Sequence, residues 1–322
     1  MKAYEQGLPD KIWDARQRSR GAHMLQGLPW ARFQEALGRT LVWAEGDGWS
    51  WLGIVTRGRG TSYLYAPYGP TVRSAATLDA ALASMRAAAV ELKLDFVRVE
   101  PVGVPKVAVE KLGLIAVKDN QPQHSRIVDL RLDENELRSA LSSSHRNTIN
   151  GSERRGLTMR KSSDVAEIQA FLTLTHATAS DRGIRPHADS YYETMLKTLL
   201  PTGDATLFLA EHDGAVASCS IVLDYEGTRG YAHTGNDPQL RKLRATAPLV
   251  WFMMLDAKAA GLERFDLWGT APAGAPKDHP WQGFTEFKQS FGGDEISYTG
   301  TWELPLRPTK YKLIKLAKKV IR

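Results

Sequence analysis

Apolar and polar positions alternate in three short runs, Thr40–Ala44, Trp49–Val55 and Ser62–Ala66, with turn residues at Asp47-Gly48 and Gly58–Gly60 between them. A period of two broken by Asp-Gly and Gly-rich turns predicts three consecutive strands. The period then changes. Leu78, Leu82, Met85 and Ala89 recur at helical spacing and predict a helix over Leu78–Leu92, after which Phe96–Val99 reads as a buried strand. The same order returns in the second half. Leu207–Glu211, Ala217–Leu223 and Arg229–Thr234 read as strands, with turns at Asp213-Gly214 and Glu226-Gly227. A helix follows from near Pro248, which a first turn tolerates, to Gly261, and Phe265–Trp268 is the matching strand. Hairpin strands, a helix and a further strand, each present twice, predict an α+β chain of two similar domains.

The repetition extends to the letters. Thr40-Leu41-Val42-Trp43-Ala44-Glu45-Gly46-Asp47-Gly48 and Thr206-Leu207-Phe208-Leu209-Ala210-Glu211-His212-Asp213-Gly214 share the pattern T-L-x-x-A-E-x-D-G at an offset of 166 residues. The same offset carries Tyr65 to Tyr231 and Gly69 to Gly235. In a chain of 322 residues this is a duplicated domain, since solenoid repeats have periods of roughly 20–50 residues. A site between the two halves is the natural expectation. Between the halves, Asp133 and Glu136 have capping-box spacing and open a predicted helix that runs to Arg155, with Gly156 as its left-handed terminator. Asp164 and Glu167 open another in the same way. At the C-terminus, Leu313, Leu316, Ala317, Val320 and Ile321 fall on one helical face, with Lys312, Lys315, Lys318, Lys319 and Arg322 elsewhere. A basic amphipathic helix of this kind either packs on the body or lies on the anionic inner face of a membrane.

Composition changes this picture little. With 43% hydrophobic and 24% charged residues the chain is an ordinary globular sequence, and its length fits about two domains. The N-terminus lacks the apolar run of a signal peptide, and the longest apolar stretch, Leu249–Leu255, falls far short of the roughly 18 residues that span a bilayer. A monomeric protein is expected, cytoplasmic or attached at the membrane surface. Its one cysteine, Cys219, excludes an internal disulfide and reads as a core residue. A formal charge of +6 and a pI near 9.3 permit a polyanionic partner.

Motifs for metal, P-loop or serine-nucleophile chemistry are missing, the eight histidines have no ligand spacing, and no metal or cofactor is expected. Three clusters remain. In His279–Gly293, glycines bracket aromatics around Lys288, which lies between Phe287 and Phe291 where apolar flanks would strip water from its ammonium; at Gly292-Gly293 the backbone could approach a ligand. Arg146, Asn150 and Arg154, with Asn147 and Arg155 beside them, recur every four residues and could present one phosphate-gripping face. Arg182 and Arg185, ahead of Tyr191-Tyr192, form either an anion clamp or a plain loop.

These segments together resemble the Fem peptidoglycan-bridge aminoacyltransferases over nearly the whole chain. The resemblance is carried by Gln26 through Trp30 to Leu37, Tyr65-Ala66-Pro67-Tyr68-Gly69-Pro70, Arg146-Asn147-Thr148-Ile149, Tyr231–Gly235, Phe265-Asp266-Leu267-Trp268-Gly269, and Trp281 through Phe287-Lys288 to Gly293, which is similar to the family's G-x-x-x-F-K-x-x-F-G-G. It implies two tandem acetyltransferase-like (GNAT) domains, here 1–145 and 146–299, with about 300–322 returning to complete the first. No room is left for the coiled-coil arm of some members. It implies transfer of an amino acid from aminoacyl-tRNA to the stem-peptide amine of a UDP- or lipid-linked muramyl pentapeptide, by direct attack on an ester that is already activated. By resemblance, Lys288 stabilises charge at the reacting ester, with Phe287 beside it; Tyr65, Tyr231, Arg146 and Asn147 lie in substrate-contacting stretches. The family's diphosphate-binding lysine follows the tryptophan by four positions. After Trp30 that position is Gln34, with Arg32 nearby. Tyr68 replaces the usual arginine of the Y-x-P-R-G-P turn, and the order Asp181-Arg182-Gly183 makes Arg182 the substitute for the arginine of an R-D-G-like turn.

Two other functions compete. A CoA-dependent GNAT acyltransferase would cradle pyrophosphate on a Gly-rich loop, whereas Pro238–Pro248 reads PQLRKLRATAP with no glycine. A non-catalytic binder of tRNA or peptidoglycan precursor would keep the folds and lose turnover.

Overall fold

The computed structural model of the protein describes residues 4–58, 60–183 and 185–320, with the side chains of 182 and 318–320 outside the description. The chain divides into two units, Met1–Gln123 with Ser297–Arg322, and His124–Ile296. The division falls earlier than the expected 145/146 because His124–Asp129 is a strand of the second unit's sheet.

The first unit opens with β1 (Glu5–Gln6), α1 (Lys11–Ser19) and α2 (Leu28–Ala36), then runs β2 (Thr40–Gly46), β3 (Trp49–Gly58), β4 (Thr61–Ala66), β5 (Thr71–Val72), α3 (Ala75–Glu91), β6 (Phe96–Val99), α4 (Lys106–Glu110) and β7 (Ile115–Ala116). Gly46 pairs with Trp49, so Asp47-Gly48 is a two-residue hairpin turn with Gly48 at φ +73°. The turn expected at Gly58–Gly60 includes residue 59, which lies outside the described residues. Helix α3 begins before the expected Leu78 because Ser74 and Thr77 form a reciprocal capping box. Its Leu78, Ala81, Leu82, Met85, Ala88 and Ala89 are buried in the core with Trp51, Leu64 and Val97 of the sheet.

The second unit runs β8 (His124–Asp129), α5 (Glu134–Ala140), α6 (Ser143–Asn150), β9 (Thr158–Ser162), α7 (Ile168–Arg182), α8 (Asp189–Leu199), β10 (Ala205–His212), β11 (Ala215–Tyr225), β12 (Thr228–Asn236), α9 (Thr246–Ala259), β13 (Arg264–Gly269), α10 (Gln282–Gln289) and β14 (Asp294–Ser297). Its sheet order is β14-β8-β13-β12-β11-β10-β9. Register separates its faces. Ser220 pairs with Thr234 and Cys219 with Gly235, and a Cβ at Gly235 would come within 2.7 Å of the Leu174 backbone, so α7 covers the Cys219–Gly235 face. Phe208, which pairs with Ser220, packs on the other face with Leu249, Val250 and Met253 of α9.

The single helix expected from Asp133 to Arg155 is corrected to two. The Asp133–Glu136 capping box forms, but Leu141 takes an extended ψ of 142° and Ser142 caps a new helix by accepting from the His145 amide. Glu153–Arg155 is a separate 3-10 turn that ends at Gly156 in the left-handed conformation. Asp164 caps a 3-10 turn, while Glu167 pairs with Arg160 rather than closing a box.

The chain then returns. β15 (Trp302–Pro305) inserts between β6 and β7, antiparallel to both, and α11 (Pro308–Val320) follows. The insertion is fixed by one carboxylate. Glu303 is fully buried and accepts from Arg98 Nε at 3.0 Å, from Lys315 Nζ at 2.6 Å and from the Tyr311 hydroxyl. Burial alone would raise this carboxyl, yet Lys315, Tyr311 and Arg98 together hold it below its ordinary value. Its stabilising contribution is therefore complete above about pH 5 and disappears as pH falls through the depressed value. Glu303→Gln leaves Arg98 and Lys315 without their buried carboxylate and is expected to cost about 3 kcal/mol in urea unfolding at neutral pH, with a smaller difference from wild type in acid. Equal losses at both pH values would mean that packing, not charge, carries the site.

Candidate active site

The second unit contains a cleft made by two strands that part. β12 and β13 are parallel and pair only over Thr228↔Arg264, Arg229↔Phe265 and Gly230↔Asp266. Below the opening Arg229 is buried and ties β12 to its neighbours through Asp224 of β11 at 2.8 Å and Asp256 of α9 at 2.8 Å. Above it, β12 continues to Asn236 with a bulge, since Tyr231 pairs with Val222 and His233 with Ile221, leaving Ala232 extra. A bulge bends its strand and redirects side chains. The gap is a cavity of about 470 Å³ lined by Tyr231, Ala232, Thr234 and Asn236 of β12, Trp268 of β13, Thr178 of α7, Thr246 of α9, and Gly283, Phe284, Phe287 and Lys288 of α10.

Asp266 shapes the β13 side. Its carboxylate is buried and accepts from the Ser125 hydroxyl of β8 and from the Trp268 amide at 2.7 Å. Burial pushes the carboxyl up despite these donors. The Trp268 amide bond turns the strand sharply, and Trp268 takes φ +63°, a rare conformation for a bulky residue. Its ring lies against Gly230, where a Cβ would come within 2.9 Å. The turn aims the Gly269 carbonyl at Lys288, whose Nζ donates to it at 2.6 Å. Burial lowers the Lys288 ammonium to about 8, with Asp266 opposing the shift. A lysine so placed is desolvated, cationic at neutral pH, and has further N–H donors for a ligand.

Gly292-Gly293 has a packing role beside the expected ligand approach. Both residues have positive φ, +78° and +72°, and a Cβ at Gly293 would overlap the Ile127 carbonyl oxygen of β8. The pair lets the chain after α10 press on its own unit, where Arg126 donates to both glycine carbonyls. This seats Phe291 in the core and so sets the rotation of α10 that turns Phe287 and Lys288 to the cleft. Trp281 and Phe284 remain exposed at its outer end.

A second cavity of about 250 Å³ shares Thr178, Asn236, Thr246 and Phe287 with the first and lies at the start of α9. No side chain caps that helix at Ala245. Arg241, Arg244, Asp181 and Asp237 line the space, with Arg241 paired to Asp181 at 2.7 Å and Arg244 donating to Ser144 at 3.1 Å. His145 also lines it; its ring packs on Phe291 and Phe287, its Nε2 is buried with no hydrogen-bond partner among the described residues, and burial, then Arg244, push its imidazole below the ordinary value. The loop has no glycine, and Arg244 supplies the left-handed residue at φ +51°.

Residues 143–287 match the family model described as an acetyltransferase (GNAT) domain. FemX matches with a TM-score of 0.83 at 18% identity, covering 96% of this chain and 99% of its own. The C-terminal domain of a putative lysylphosphatidylglycerol synthetase from Agrobacterium fabrum matches with a TM-score of 0.62 at 13% identity, covering 94% of this chain and 96% of its own. A tandem GNAT protein from the clavulanic acid biosynthesis pathway matches with a TM-score of 0.50 at 13% identity, covering 94% and 98%. The chain has a tandem GNAT fold. No curated protein sequence matches it.

Of the residues singled out in the sequence, Lys288, Phe287 and Tyr231 come together in the second GNAT unit. Arg146, Asn147 and Arg185 of the same unit do not line that cavity. Arg146 donates to the Arg138 and Ser139 carbonyls that end α5, at 3.3 and 3.4 Å. The helix stops before Arg154, so the expected arginine face does not extend that far, and Arg155 turns to the Leu243 and Thr148 carbonyls. Asn147 is exposed on α6, Arg185 is exposed in the loop before α8, and the side chain of Arg182 lies outside the described residues. In the first GNAT unit Trp30 and Gln34 are buried in α2 and Arg32 is half-buried. Tyr65 donates to Glu100 at 3.0 Å and accepts from Asn120 at 2.7 Å; Tyr68 is buried and donates to the Pro122 carbonyl at 2.8 Å. Cys219 is fully buried and its thiol is pushed up by burial, which makes it a core residue. Asp266, Ser125, Trp268, Thr178 and His145 were not singled out as site residues, although Asp266 and Trp268 fall within a stretch that carries the resemblance.

If Gly293 serves the fold, Gly293→Ala will lower stability by about 2 kcal/mol in urea unfolding, through the left-handed backbone and the overlap with Ile127. An unchanged midpoint with weakened ligand binding would restore the ligand-approach reading.

Proposed function

We propose that the protein is a non-ribosomal aminoacyltransferase of the Fem type, which moves an amino acid from aminoacyl-tRNA to the stem-peptide amine of a UDP- or lipid-linked muramyl pentapeptide. The observation that carries this reading is the desolvated Lys288 ammonium held by Gly269 in the cleft between β12 and β13. The tandem GNAT fold and the GNAT-domain match support acyl transfer, and the likeness to FemX and to a putative synthetase of an aminoacylated lipid supports an aminoacyl group. In the proposed step the acceptor amine attacks the ester carbonyl carbon, charge collects on the carbonyl oxygen, and the C–O bond to the terminal ribose breaks. The proton lost by the amine ends on the departing ribose oxygen. Lys288 donates to the developing oxyanion in a site where water is scarce, and no covalent enzyme intermediate is needed. Arg241, Arg244 and the uncapped start of α9 suit the phosphates near an RNA 3′ end.

That same helix start also suits the diphosphate of a CoA thioester, which is the second reading. A transfer assay separates the two. Purified protein is given a pool of radiolabelled aminoacyl-tRNAs or labelled acetyl-CoA, with UDP- or lipid-linked muramyl pentapeptide as acceptor. Label passing from tRNA to the precursor is expected; label passing only from acetyl-CoA, or from neither donor, would overturn the proposal. Lys288→Ala should lower kcat about 100-fold with little change in acceptor KM. Because the cationic form does the work, the lysine-dependent rate should decline as pH rises through about 8. Lys288→Arg, which stays charged, should move that decline to higher pH. A decline at the same pH in Lys288→Arg would assign it to another group.

A further inference from the structure

Helix α11 is fastened to the first unit by one side only. Tyr311 is buried against Phe96 and bonded to Glu303, Lys315 reaches Glu303, and Lys310 reaches the buried Asp95 at 2.8 Å. The opposite side carries Leu313 and Leu316, which are 62% and 59% exposed, one turn apart, with exposed Lys312 and Ala317 beside them. Because the inner anchors fix the rotation of the helix, these leucines cannot turn inward without breaking the contacts to Glu303 and Asp95. The segment Pro308–Val320 contains five lysines and no carboxylate. An exposed leucine pair flanked by Lys312, on a segment without carboxylates, is complementary to one kind of surface, in which leucines enter a hydrocarbon boundary and a lysine reaches anionic headgroups. No helix among the described residues is long and apolar enough to cross a membrane, so such a contact is peripheral.

We infer that the outward face of α11 docks on an anionic lipid bilayer. The inference stands on the first unit alone and does not depend on the acyl-transfer reading. The test is co-sedimentation of the full chain with vesicles of phosphatidylcholine and of phosphatidylcholine mixed with phosphatidylglycerol. Binding should be about tenfold tighter to the mixed vesicles and should weaken with salt. The double variant Leu313→Glu, Leu316→Glu should lose about tenfold or more in binding to the mixed vesicles. Lys312→Glu leaves both leucines in place, should lose about fivefold, and carries the test alone if the double variant fails to fold. Equal binding to both kinds of vesicle, no binding, or binding that survives both changes would overturn the inference. So would a wild-type dimer in sedimentation that the double variant renders monomeric, since a second copy would then cover the face.

Discussion

The site of the second unit depends on one buried carboxylate. Asp266 is the last residue of β13 that pairs with β12, where the parallel ladder stops. Burying a carboxyl is costly unless it is well supplied with donors, and here the supply comes from Ser125 and the Trp268 amide. Accepting that amide turns the strand, places Trp268 in a conformation that bulky residues avoid, and presents the Gly269 carbonyl to Lys288. The turn thus brings Trp268 and the Gly269 carbonyl to the cavity that Lys288 lines. Gly230 completes the arrangement by leaving room for the indole.

A single construction rule serves both units. In each, a hairpin series and a helix lead to a parallel strand pair, and the outer neighbour of that pair is an antiparallel strand from a distant stretch of chain. In the first unit this is β15, pinned by Glu303; in the second it is β8, which brings Ser125 to Asp266. The strand that completes the second sheet therefore also supplies a donor to the carboxylate that shapes its cleft. Duplication gave the two sheets a common plan, and the cleft described here arose from what is particular to the second: the bulge at Ala232 and the turn at Trp268.

Elements set by local chemistry were legible in the sequence. The Asp47-Gly48 and Asp213-Gly214 hairpins, the flanking strands and the helix near Pro248 all follow from turn residues and periodicity, and the duplicated plan from the shared pattern. What was not legible depends on partners far along the chain. The break at Leu141 hides in a run of helix-compatible residues, although Ser142 is a fair N-cap and could have raised it. The bulge at Ala232 has no signature in Tyr231-Ala232-His233, because it reflects the register with β11. Lys288 and Phe287 were found by their motif; Asp266 was passed over as a site residue because a strand aspartate in Phe-Asp-Leu-Trp does not announce burial. The glycines of the same motif read as room for a ligand, and their packing against β8 and α5 was not legible because it depends on residues far along the chain.

The interrupted layout of the first unit bears on how the chain acquires its structure during synthesis. Translation delivers the second unit as one unbroken stretch, with every strand from β8 to β14 in hand before β15 exists. The first unit, begun earlier, lacks the strand between β6 and β7 until the second unit has been made. Pairing across so long a separation carries a high entropic cost of closure and is slow. The later-encoded unit is thus free to settle first, and a nascent chain stalled before Trp302 holds every strand of the second sheet but a first sheet whose β6 and β7 have no bridge between them.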